Sequence, residues 1–133
     1  GAHIYSFVND AGKKYVGQEA AELLLNRQLE GLQLLGSYGV KVKINTVAIP
    51  GVNMEEIPAI ARRMAVLGCK LHNILPMLPV EGTAFAHLAE PEAQEIAALR
   101  EVCQQWMPQM RHCSRCRADA VGTLAAACYG EEQ

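Results

Sequence analysis

Along this 133-residue chain the hydrophobic step changes repeatedly between helix-like and strand-like, and that alternation constrains the fold most. Over residues 18–37, Ala21, Leu25, Leu29, Leu32 and Leu35 recur at three- and four-residue steps, one stripe of an amphipathic helix. Gly36 or Gly39 is placed to end it. Over residues 40–49 the step drops to two: Val40, Val42 and Ile44 point one way, Lys41, Lys43 and Asn45 the other. Pro50-Gly51-Val52 breaks that strand. Asn53, with Glu56 three residues on, has capping-box spacing and predicts a second helix to about Leu67 that buries Ile57, Ile60, Met64 and Leu67. Residues 69–75 read as another short strand and 76–88 as a long loop. Glu90-Pro91 then opens a third helix, with Ile96, Leu99, Cys103 and Trp106 as its buried stripe. At the amino end, residues 3–8 alternate weakly and read as the end of a strand, and 9–14 as a loop. Residues 111–119 form a polar, cysteine-bearing segment, followed by a small-residue stretch, 120–128, expected as a last helix.

Helix, strand, helix, strand, helix with short turns predicts an α/β fold of parallel strands joined by crossover helices. The length suits one domain with no internal boundary. A closed eight-fold β/α barrel needs ~250 residues, so this chain fits only part of one. Half the residues are hydrophobic, enough for a real core. Twelve basic against fourteen acidic residues, a formal charge of -2, gives no electrostatic case for a nucleic-acid or polybasic membrane partner. No stretch approaches the ~20 apolar residues that span a bilayer. The first four residues have neither the basic region nor the apolar core of a signal peptide. They also lack an initiator Met, so the chain is expected to begin inside a longer protein. Five cysteines, an odd count, argue against a secreted disulfide framework and for a reducing cytoplasm.

In parallel β/α folds, ligands bind beyond the carboxyl ends of the strands. Strands covered on both faces should be apolar on both, and the Lys43 and Asn45 row violates that. The row faces either a polar cavity or simply water, and alternation alone leaves both open. Asn45 and Asn53 could equally satisfy local backbone groups. His72 and Asn73 are adjacent, so on a strand only one of them enters a shared cavity. The sharper signal is Arg111-His112-Cys113-Ser114-Arg115-Cys116-Arg117. Two thiols separated by two residues can grip one soft metal centre or the irons of a cluster. Arg111, Arg115 and Arg117 would favour thiolates and offset a cluster's negative charge. Structural zinc normally needs two further ligands, and no second Cys-x-x-Cys exists. Two unbound surface cysteines are the alternative. Cys69, Cys103 and Cys128 sit among apolar residues and read as core.

The string from Arg111 through Ala118-Asp119-Ala120-Val121-Gly122 closely resembles the motif near the end of the radical S-adenosylmethionine domain in the NifB family of nitrogenase cofactor biosynthesis. Gln28-Leu29-Glu30-Gly31, Lys43-Ile44-Asn45-Thr46, Ile49-Pro50-Gly51-Val52-Asn53, His72-Asn73-Ile74-Leu75-Pro76 and Gly82-Thr83-Ala84-Phe85 match in the same order. The resemblance implies an open, partial TIM-like β/α barrel and an enzyme that fuses two four-iron clusters. It also implies insertion of a carbon from S-adenosylmethionine, giving an eight-iron, carbide-centred precursor. By the same resemblance Cys113 and Cys116 hold a substrate cluster. Lys43 and Asn45 contact S-adenosylmethionine, and Pro76, Met77 and Leu78 line its adenine. His72, Asn73 and Arg117 are further candidates without an assigned step.

The departure is as informative. Enzymes of this class bind their reducing 4Fe-4S cluster through Cys-x-x-x-Cys-x-x-Cys, and that spacing is absent here. The chain is therefore expected to be the carboxyl-terminal half of the barrel, inactive by itself and dependent on an amino-terminal half. The resemblance also implies cluster-donor and cofactor-carrier proteins as partners. Unpaired barrel edges predict self-association, in a homodimer or by exchange of elements. The alternative function is a non-catalytic iron-sulfur or zinc-binding module on an α/β scaffold, and a plain interaction domain is a third.

Overall fold

A computed structural model describes residues 7–111. The chain divides into two compact units, one up to Val42 and one from Lys43 on.

The first unit begins with an antiparallel hairpin of β1 (Val8–Asp10) and β2 (Lys13–Tyr15), paired from Val8↔Tyr15 to Asp10↔Lys13. Its two turn residues, Ala11 and Gly12, have φ of 47° and 80°. Successive positive φ values belong to the turn whose twist suits a two-residue hairpin. Residues 9–14, expected as a loop, are thus largely strand. Alanine at the first turn position hid this, because the usual signal there is Asn, Asp or Gly. Helix α1 (Gly17–Ser37) follows within a residue of its expected start. Arg27 of α1 donates to Asp10 Oδ2 at 3.2 Å and to Glu30 Oε2 at 3.1 Å, tying helix to hairpin. Gly39, at φ 70°, reverses the chain after the helix in a conformation that side chains with a Cβ rarely adopt.

The second unit runs β3 (Lys43–Ala48), a 3-10 turn (Met54–Glu56), α2 (Ile57–Val66), β4 (Leu71–Pro76) and α3 (Ala93–Gln104). Strands β3 and β4 pair in parallel from Lys43↔Leu71 to Ala48↔Pro76. After α3 the chain returns to the other edge of β4. His72 N–H donates to Pro108 O at 3.0 Å, and Met110 N–H donates to His72 O at 2.7 Å, a parallel bridge. Strand β4 is therefore central, flanked by β3 and residues 108–110 in chain order. The class is α/β with parallel strands and crossover helices, and the sheets among the described residues are small.

Ala48, Ile57, Ala61, Ile74, Ile96 and Cys103 form the core, with Met54, Leu99 and Trp106 packed against it. Fully buried Ile57 and Ile74 each contribute about 1.5–3 kcal/mol by removal from water. The expected stripe of α3 is this core's outer wall. The capping box lies at α3, where the Glu92 side chain accepts from the helix backbone and Glu95 Oε2 accepts from Glu92 N–H at 2.8 Å. Asn53 does not cap: its side chain turns back to β3 instead. Among the described residues no helix is long and apolar enough to cross a membrane.

Candidate functional site

Register decides which side chains share a face. Lys43, Asn45 and Val47 of β3 lie on the same face as Leu71, Asn73 and Leu75 of β4. Ile44, Thr46, Ala48, His72 and Ile74 lie on the other, where Ala48 and Ile74 enter the core with α2 and α3. On the first face Lys43, Asn45 and Val47 are exposed, whereas Leu71, Asn73 and Leu75 are buried. The polar row read from the sequence is thus directed away from α2 and α3.

Of the adjacent pair, Asn73 joins that row and His72 does not. Asn73 is 3% exposed, and its Nδ2 donates to Asn45 Oδ1 at 3.1 Å. Its own Oδ1 is buried with no hydrogen-bond partner. His72 is fully buried on the helix side, with Nε2 2.9 Å from Thr46 Oγ1 and Nδ1 unpartnered. Burial pushes its pKa down to about 4, so the ring is neutral at pH 7. Thr46, which carried no sequence signal beyond its place in the alternation, is what orients this imidazole.

The turn after β3 is held by Asn53. Ile49 N–H donates to Asn53 Oδ1 at 2.8 Å, and Asn53 Nδ2 donates to Val47 O at 2.8 Å. Gly51 has φ 69°, so another residue there would be strained although nothing crowds its Cβ position. This turn and Glu95 of α3 line a cavity of about 420 Å³. At the end of β4, Met77 N–H donates to Ala48 O at 3.0 Å and extends the pairing one residue. Of the three residues expected to line an adenine, Met77 is buried, Pro76 is half-buried and Leu78 is exposed. Arg100 of α3 reaches back to donate to Ile74 O at 2.8 Å, an anchor that the helical stripe did not signal.

Cys69 and Cys103 are buried free thiols whose pKa values are raised by desolvation, as core cysteines should be. Cys113, Cys116 and Arg117 lie outside the described residues, as do His112, Arg115 and Cys128. Arg111, two residues before Cys113, donates through Nη2 to Glu101 Oε1 and Gln104 Oε1, each at 2.7 Å. That guanidinium is engaged with α3, so its charge is already partly compensated. Among the described residues no group of three or more His, Cys, Asp or Glu side chains could hold a metal ion.

No family model matches the chain. The FeMo cofactor biosynthesis protein NifB of Klebsiella pneumoniae is 45% identical over 127 residues, covering 92% of this chain and 27% of that protein. The protein of the same name from Chlorobaculum tepidum is 42% identical over 124 residues, 93% of this chain and 29% of its own length. That of Bradyrhizobium diazoefficiens is 43% identical over 128 residues, 93% of this chain and 26% of its own. The chain spans between 26% and 29% of the length of these relatives. Along nearly all of its own length it is homologous to the FeMo cofactor biosynthesis proteins NifB.

Proposed function

We propose that this chain is the carboxyl-terminal half of a radical S-adenosylmethionine barrel of NifB type. In that reading it is part of an enzyme that joins two four-iron clusters and builds a carbide into the eight-iron cofactor precursor. The observation that supports it is the Lys43, Asn45 and Asn73 row on the face of a parallel sheet opposite its helices. A buried, unpartnered amide oxygen as acceptor, beside an exposed amide and an ammonium as donors, fits a polar, zwitterionic group. Bound S-adenosylmethionine would supply the carbon and the radical chemistry. Lys43 and Asn45 would hold its polar end, and the Pro76, Met77 and Leu78 segment at the end of β4 its adenine. Cys113 and Cys116 would take a four-iron cluster as substrate, with Arg115 and Arg117 compensating its charge.

The five cysteines do not include the Cys-x-x-x-Cys-x-x-Cys triad. The proposed first partner is an amino-terminal half carrying that triad, with cluster-donor and carrier proteins beyond it. The test is to produce the two halves together, reconstitute them anaerobically with iron and sulfide, and measure reductive cleavage of S-adenosylmethionine. Cleavage that needs both halves supports the reading; none from a soluble, iron-loaded pair rejects it. The Cys113 and Cys116 pair also suits a second reading, a non-catalytic iron-sulfur or zinc-binding module. That reading predicts metal uptake through Cys113 and Cys116 with no cleavage in any pairing.

A further inference from the structure

A primary amide can face a ligand as donor or as acceptor, and what lies behind it decides which. Asn45 and Asn73 are cross-strand partners on the same face of the sheet. Asn73 Nδ2 donates to Asn45 Oδ1, so the oxygen of Asn45 is held by its neighbour and its NH₂ group is left for a ligand. Asn45 is exposed and Asn73 is 3% exposed, so a ligand on this face meets Asn45 first. Asn73 leaves its own Oδ1 buried and unpartnered, a destabilising arrangement that leucine, of similar volume, would avoid. Packing alone therefore gives no reason for an asparagine here. Lys43, two residues before Asn45 and exposed on the same face, adds an ammonium.

From this geometry we infer that Asn73 is a positioning residue. It fixes the Asn45 amide with its NH₂ outward, so that β3 presents this donor beside the Lys43 ammonium and selects the carboxylate end of its ligand. The inference rests on the proposed S-adenosylmethionine cavity and assigns the orientation of the cofactor within it. An anionic iron-sulfur cluster could meet the same donors, so the test is run without iron.

The full chain, iron-free and labelled for NMR, is titrated with S-adenosylmethionine and with its decarboxylated form, which keeps the sulfonium and the amine. Loss of a charge-assisted hydrogen bond predicts about tenfold weaker binding of the decarboxylated form to the wild type. Asn73→Leu, which removes the inward donor, narrows that preference to about threefold or less. Asn73→Asp only accepts, pulls the Asn45 NH₂ inward and abolishes the preference. A merely structural role would weaken both ligands together and leave their ratio unchanged. An unchanged ratio in folded Asn73→Leu overturns the positioning role even where Asn73→Asp fails to fold. Equal binding of both ligands by the wild type overturns it while leaving the proposed function in place. No binding of either by the wild type overturns the positioning role, and the proposed function is then decided by the cleavage assay on the paired halves.

Discussion

Acid should destabilise this protein through one imidazole. His72 is fully buried between β4 and the helices, and desolvation lowers its pKa from 6.5 to about 4. The folded state therefore keeps the ring neutral, whereas the unfolded chain protonates it near its ordinary value. Between those two values the unfolded state binds more protons, so stability is complete above about pH 6.5 and falls as pH drops toward about 4. A gap of about 2.5 pH units caps the effect at about 3.4 kcal/mol, and at pH 5 the loss is about 2 kcal/mol. Against a typical domain stability of about 5–15 kcal/mol this is a large fraction. Urea denaturation at pH 7.5 and pH 5, on wild type and His72→Gln, isolates the term because every other group titrates in both proteins. Wild type should lose about 2 kcal/mol more than the variant across that interval. Equal losses would refute the buried, neutral assignment.

Two further perturbations test the local geometry. Asn53→Ala removes both side-chain bonds that close the turn after β3 and orphans the N–H of Ile49, itself 6% exposed; destabilisation of about 2–3 kcal/mol in urea is expected. Asn53→Asp, which keeps the acceptor for Ile49 but loses the donor to Val47, should fall between wild type and alanine. Cys69 and Cys103, buried with raised pKa values, should react with a thiol reagent at pH 8 only as fast as the protein opens, and at full rate in denaturant. Rapid labelling of either thiol in the native protein would contradict their core placement.

Much of the second unit was legible because its periodicities are clean. The two-residue step of β3 correctly separated Lys43 and Asn45 from Ile44, and the stripe of α3 named Ile96 and Cys103 before the core was visible. Strand β4 was legible as a strand but not by face, since it is buried on both sides and its alternation carries no contrast. Only the register with β3 sends Asn73 to the Lys43 and Asn45 face and His72 to the side of α2 and α3. Asn53 misled for a different reason. An asparagine three residues before a glutamate suits either a helix cap or a turn clamp, and the carbonyl of Val47 and the N–H of Ile49 lay close enough to win. The hairpin at Ala11-Gly12 was hidden by an alanine in a conformation it seldom takes.

The proposed function turns on Cys113 and Cys116 holding iron. Its direct test is the iron content of the full chain after anaerobic reconstitution with iron and sulfide, compared with the Cys113→Ser, Cys116→Ser double variant. A cluster's visible absorption and bound iron are expected in the wild type, both lost in the variant. Equal iron in the two proteins, or zinc bound tightly with no iron taken up, would contradict it.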